Sequence, residues 1–223
     1  MRDYVDLTYG SLPRTDYPAK LVRYMLERIH WTDCGHSKKM LDVGYGRGEH
    51  LEEFVAQGLK CDGLDSCHRD IPGAHTETWD VDENGLPWSD EDWFDLIWCK
   101  SVLEHMYRPD GLVLEMARSL APGGVLITMT PPVERCGLKA FYAEFQHHHP
   151  FTLEGLRSIH QWAGLDILEA RYFFQVPITW RHRWLLPLMM AVHHLTPLKR
   201  WSKSVEFAGW RAPMALVVAR KPE

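Results

Sequence analysis

The segment that most constrains this chain is Met40-Leu41-Asp42-Val43-Gly44-Tyr45-Gly46-Arg47-Gly48-Glu49-His50-Leu51. A short apolar run ends in alternating glycines and passes straight into a helical pattern. Glycine adopts positive φ readily and lets a ligand lie against bare backbone. A helix start presents N–H groups with no intrahelical partner. The segment therefore reads as a buried strand, a ligand-cradling turn and a helix.

The flanking sequence repeats that alternation. Apolar residues at Leu21, Val22, Met25, Leu26 and Ile29 predict a helix over 19–31. Strands are expected at 39–43, 59–64, 92–99, 125–129, 166–174 and 214–219, and helices at 49–57, 110–120 and 152–163. Pro122-Gly123-Gly124 is expected to be a turn. Strands alternating with helices imply crossover connections and a parallel sheet. The fold class is α/β, doubly wound and mostly parallel. Such sheets bind ligands at the carboxyl ends of their strands, where strand order reverses. The 223 residues, 45% of them hydrophobic, suit one domain spanning 1–223.

Two ligand classes use a glycine loop of this kind. A dinucleotide site wants G-x-G-x-x-G, which would put the third glycine at position 49. Glu49 stands there, and a carboxylate at the helix start opposes a pyrophosphate. A nicotinamide-dependent oxidoreductase is thereby disfavoured. Asp65 ends the next strand in Gly63-Leu64-Asp65-Ser66, where an acid can accept both hydroxyls of a ribose.

The spacing D-x-G-x-G-x-G from Asp42 to Gly48 resembles motif I of class I S-adenosylmethionine-dependent methyltransferases, of the methyltransferase domain 11/23 kind. The likeness continues in order through Leu86 to Ile97 (LPWSDEDWFDLI), Val102-Leu103-Glu104-His105-Met106 and Leu120-Ala121-Pro122-Gly123-Gly124. It implies a seven-stranded sheet, S-adenosylmethionine as cofactor and methyl transfer as activity. Residues 1–38 would be an arm and helix, 39–130 the cofactor half, and 131–223 a substrate and lid half. The resemblance also assigns cofactor-binding roles. Asp42, Gly44, Tyr45, Gly46 and Gly48 would hold the methionine part, and Asp65 with Ser66 the ribose. Asp80 and Val81 would meet the adenine, and Cys99 and Lys100 would line the methyl-transfer face. For Glu104 and His105 it implies packing and capping after the fourth strand.

Phe141 to Thr152 (FYAEFQHHHPFT) resembles a segment of class I methyltransferases associated with glycan synthesis. It implies an O-methyltransferase acting on a hydroxyl of a glycan or another small molecule. A hydroxyl is a poor nucleophile until it is deprotonated, and His is suited to that near neutral pH. His147 is the candidate base, with Tyr142 and Glu144 as substrate-binding neighbours. His147, His148 and His149 are adjacent in sequence and lack an acid at ligand spacing, so no metal is expected. A SAM-binding module without catalysis is the competing reading.

Composition excludes several other classes. The net charge of −5 argues against nucleic-acid binding by the chain as a whole. Five cysteines, with no C-x-x-C pair, suggest neither a disulfide framework nor zinc. With no secretory pattern at the N-terminus, a cytoplasmic location is expected. Residues 181–201 are apolar with flanking Arg, Lys and Trp. They suggest a buried lid, a dimer contact or peripheral membrane contact. The apolar core of that stretch, Trp184 to Val192, is too short to span a bilayer.

Overall fold

The computed structural model describes residues 13–31, 37–88, 92–195 and 213–223. Ser89, Asp90 and Glu91 of the Leu86 to Ile97 motif lie outside them, as do residues 196–201 of the apolar segment flanked by Arg, Lys and Trp.

Seven strands form one sheet in the order β3-β2-β1-β4-β5-β7-β6. They are β1 (Lys39–Val43), β2 (Lys60–Asp65), β3 (Ala74–Thr78), β4 (Phe94–Lys100), β5 (Leu120–Thr130), β6 (Asp166–Phe173) and β7 (Met214–Arg220). Neighbours from β3 through β5 are parallel, while β7 runs antiparallel to both β5 and β6. The order reverses between β1 and β4, which locates the ligand crevice of a doubly wound sheet at their carboxyl ends.

Alternation along the central strands builds two core layers. Met40, Leu96 and Trp98 face one layer, with Leu21 and Met25 of α1 (Tyr17–Arg28) and Leu51 and Phe54 of α2 (Glu49–Ala56). Leu41, Ile97 and Cys99 face the other. There they meet Leu112, Val113 and Met116 of α4 (Pro109–Ser119) and Leu156 of α7 (Leu153–Trp162). The Phe54 and Trp98 rings meet edge to face at 5.6 Å, and truncating Phe54 to Ala would cost about 3–5 kcal/mol.

Two expectations change. Strand β3 was not foreseen. Among the described residues it pairs only with β2, its sequence is AHTET, and none of its residues is fully buried. An edge strand of this kind lacks the apolar run that periodicity detects. Pro122-Gly123-Gly124 does not separate a helix from a new strand. It lies within β5, whose pairing with β4 shifts register between Phe94 and Leu96. Gly123 has φ 75°, so the expected turn survives as a kink inside the strand.

Three short helices border the strand ends: α3 (Val81–Asn84), α5 (Val133–Cys136) and α6 (Leu138–Phe141). Beyond β6 come α8 (Pro177–Arg181) and α9 (Leu186–Leu195). Trp184 and Leu188 are exposed there, at 75% and 60%. No described helix is long and apolar enough to cross a membrane.

Candidate active site

A cleft of about 780 Å³ opens at the carboxyl ends of β1, β2 and β4. The glycine loop is its first wall. Gly44, Gly46 and Gly48 all have positive φ, at 74°, 54° and 79°, but they serve different ends. A Cβ on Gly44 would come within 2.3 Å of Val102 Cγ2, and one on Gly48 within 2.1 Å of Ile71 Cδ1. Those two glycines let the loop pack against the protein. A Cβ on Gly46 would meet nothing within 4 Å. Gly44, Tyr45 and Gly46 line the cleft, and Gly48 does not. Gly48 instead precedes α2 in left-handed conformation. Its missing side chain makes room for Ile71.

Asp65 and Ser66 line the cleft at the end of β2. The Asp65 carboxylate is pinned, with Oδ2 accepting the Gly46 N–H at 2.8 Å and Oδ1 accepting the Cys67 N–H at 2.9 Å. A carboxylate oxygen accepts more than one donor, so this anchoring leaves capacity for ribose hydroxyls. Asp80 and Val81 also line the cleft. The Asp80 Oδ1 accepts from Asp82 N and Glu83 N and so caps α3 as well.

The floor is unusually polar. Asp42 is 2% exposed and its buried Oδ2 has no hydrogen-bond partner among the described residues. Burial pushes its carboxyl well above the usual range; Asp65 pushes the same way and Lys100 opposes. Lys100 lines the same floor, its pKa lowered by burial against the pull of Glu104 and Asp42. His50, from the first turn of α2, is held neutral by burial and by Lys100, its pKa down to about 3, with a buried Nε2 that lacks a partner among the described residues. Cys99 does not line this face. Successive β4 side chains alternate, so Trp98 and Lys100 point toward the cleft layer and Cys99, 1% exposed, into the opposite core.

The far wall comes from two distant segments. A 3-10 turn, Leu103–His105, follows β4. Glu104 is 1% exposed, and its Oε2 accepts the Thr130 hydroxyl at 2.8 Å. Burial raises its pKa to about 7. Its carbonyl accepts from His148 N and His149 N, tying the histidine run to β4. His147 Nδ1 contacts the Phe141 carbonyl at 2.8 Å, and its Nε2 lies 3.4 Å from Glu144 Oε2. His105 packs against it at 4.8 Å between ring centres. Burial first, and then His147, lowers the His105 pKa to about 4.

Glu144 and His147 therefore reach the cleft, and Tyr142 does not. Tyr142 follows Phe141 at the end of α6. Phe141 takes the inward position at 1% exposure, leaving Tyr142 half exposed. Neighbouring residues on a helical turn point in different directions, and only one can face the core. His50, Glu104, His105 and Gln175 also line the cleft and were not expected there. The Glu104-His105 pair was visible in its motif, but its partner segment was not.

S-adenosylmethionine fits these residues. The orphaned Asp42 oxygen asks for a cationic or donor partner, which the cofactor's ammonium and sulfonium provide. Gly46 leaves open space above its backbone, and the Asp65 carboxylate stands braced at the cleft end of β2.

Comparison with known proteins agrees. Ubiquinone biosynthesis O-methyltransferase of Pseudomonas putida (strain GB-1) is 28% identical over 115 residues, covering 46% of this chain and 50% of that protein. The chain thus spans about half the length of the curated relatives it matches. An S-adenosylmethionine-dependent methyltransferase from Archaeoglobus fulgidus superposes with a TM-score of 0.66 at 19% identity, over 98% of this chain and 100% of the other. The cyclase SpnF superposes at 0.62 and 22% identity, over 92% and 80%. Both likenesses speak for the fold. The model of a methyltransferase domain matches residues 14–170, which include the glycine loop, Asp65, the Glu104-His105 pair and His147. With most of its length inside that match, the chain belongs to the methyltransferase domain family.

Proposed function

We propose that this protein transfers a methyl group to a hydroxyl of a small molecule or glycan, with His147 as the residue that takes the hydroxyl proton. Bound S-adenosylmethionine supplies an electrophilic methyl group on a sulfonium. The protein's task is to place an oxygen before it and remove that oxygen's proton. One observation carries the reading. A carbonyl oxygen can only accept, so the Phe141 carbonyl fixes a proton on His147 Nδ1 and makes Nε2 the nitrogen that would take a substrate proton. The same side chain lines the cleft, with Glu144 beside Nε2. An imidazole fixed through Nδ1, with a carboxylate beside the nitrogen that gains the proton, has the geometry of a general base. The curated relatives' O-methyltransferase name supports an oxygen acceptor.

The test is S-adenosylhomocysteine release from S-adenosylmethionine, on chelator-treated protein, with catechols, phenols and simple glycosides. For an accepted substrate, His147→Ala should lower kcat about 100-fold or more with S-adenosylhomocysteine affinity unchanged. Undiminished turnover in that variant would remove His147 from the chemistry. Turnover confined to amine or thiol acceptors would remove the oxygen assignment.

A further inference from the structure

The wall that carries His147 has a second chemical capacity. Glu104, His105 and His147 each offer a ligand atom, and these atoms lie within 4.8 Å of one another. The residues come from the turn after β4 and the segment after α6, so only folding brings them together.

Both imidazoles are oriented alike. His105 Nδ1 faces the Gln146 carbonyl at 3.1 Å, and His147 Nδ1 faces the Phe141 carbonyl at 2.8 Å. Each carbonyl requires a proton on Nδ1, so in the neutral form of either ring Nε2 is the nitrogen that can donate an electron pair to a metal. Metal-binding histidines are typically held in this way, with the second nitrogen donating to a backbone carbonyl. Glu104 is supported similarly, its Oε2 accepting from the Thr130 hydroxyl. Its own carbonyl fixes the histidine segment through His148 N and His149 N. Glu144 lies beside His147 and adds negative charge on the cleft side.

We infer that Glu104, His105 and His147 bind one divalent transition-metal ion and leave a coordination position turned to the cleft. Two imidazoles and one carboxylate match zinc in donor type, and a three-ligand set leaves room for water or a substrate oxygen. Magnesium and calcium prefer oxygen donors and are poorly matched. The ion would use the His147 lone pair that takes a proton in the chelated protein. A hydroxyl bound to the ion would instead be acidified directly. The inference rests on the wall's geometry and needs no acceptor. The binding test and the acceptor test above therefore fail separately.

The experiment is calorimetric titration of chelator-treated full-length protein with zinc chloride, with magnesium chloride as comparison. X-ray absorption on the zinc-loaded wild type follows. Expected are one equivalent of zinc, binding at least 100-fold tighter than magnesium, and two imidazole ligands at about 2.0–2.1 Å. His105→Ala and His147→Ala should each weaken zinc binding at least tenfold, whereas His149→Ala should not. S-adenosylhomocysteine titration of each variant reports whether it is folded. If a variant fails to fold, the wild-type absorption spectrum decides by ligand type and number. Zinc binding that is absent, that survives both substitutions, or that shows other than two imidazoles would overturn the site.

Discussion

Asp65 closes onto the glycine loop: its Oδ2 accepts the Gly46 N–H at 2.8 Å while its Oδ1 accepts the N–H of Cys67 at 2.9 Å. The acid expected to hold a ribose is thus also the brace that shapes the loop opposite. Asp65→Ala should weaken S-adenosylhomocysteine binding more than tenfold, because it removes an acceptor and loosens the loop together. Asp65→Asn, which keeps one acceptor oxygen, should lose less. Calorimetric titration of both variants checks the order, and equal losses would reduce Asp65 to a charge effect.

The three glycines make separable predictions. Gly44→Ala places a methyl 2.3 Å from Val102 Cγ2 at a φ of 74°, so it should destabilise the fold by about 2–4 kcal/mol. Val102→Ala in the same chain should recover part of that loss. Gly46→Ala meets no atom within 4 Å and bears only its backbone strain, of about 1–2 kcal/mol. It should instead weaken cofactor binding, since the methyl projects into open space. Thermal melts beside ligand titrations separate the two effects.

His160 predicts an acid-side loss of stability. It is buried in α7, with Nδ1 on the Leu156 carbonyl and Nε2 beside the Thr128 hydroxyl at 3.0 Å. Burial lowers its pKa from 6.5 to about 4. Between those values the unfolded chain holds a proton that the folded chain refuses, so stability falls as pH drops through that window and levels off below it. The difference is worth roughly 3 kcal/mol. His50, with a pKa near 3, contributes with the same sign. Denaturant melts from pH 7 to 4 should show a shallower decline in His160→Gln than in wild type, and parallel declines would exclude His160 as a source.

Cys99 should be inert in the folded protein. It is 1% exposed, and burial pushes its thiol well above the usual value, with Glu104 and Asp42 acting in the same direction. Cys67, only partly buried, should react with a thiol reagent before Cys99. Cys99→Ala should cost about 1–2 kcal/mol of stability and leave S-adenosylhomocysteine affinity unchanged. Rapid alkylation of Cys99 in native protein, mapped by mass spectrometry, would contradict its place in the core.

Much of the cofactor side was legible in the sequence, because its determinants are local. A strand, a glycine turn and a helix start are consecutive, and the apolar periods of β1 and β4 follow from residues next to one another. Asp65 was found by its place at a strand end. The conformation at each of these points depends on a few neighbouring φ and ψ angles and on which side chains tolerate them.

The rest was decided by contacts between residues distant in the chain. β3 is a polar edge strand recognisable only by its partner β2. Cys99 and Lys100 are adjacent, yet the pleat sends one into the core and the other to the cleft. The motif around Glu104-His105 and the histidine run after Phe141 were each visible, but their convergence was not. That convergence depends on where β4 ends, and on the Glu104 carbonyl capturing the N–H groups of His148 and His149. Periodicity records which way a side chain faces along its own element. It carries no term for the closure of a loop that brings a carboxylate and two imidazoles to one point.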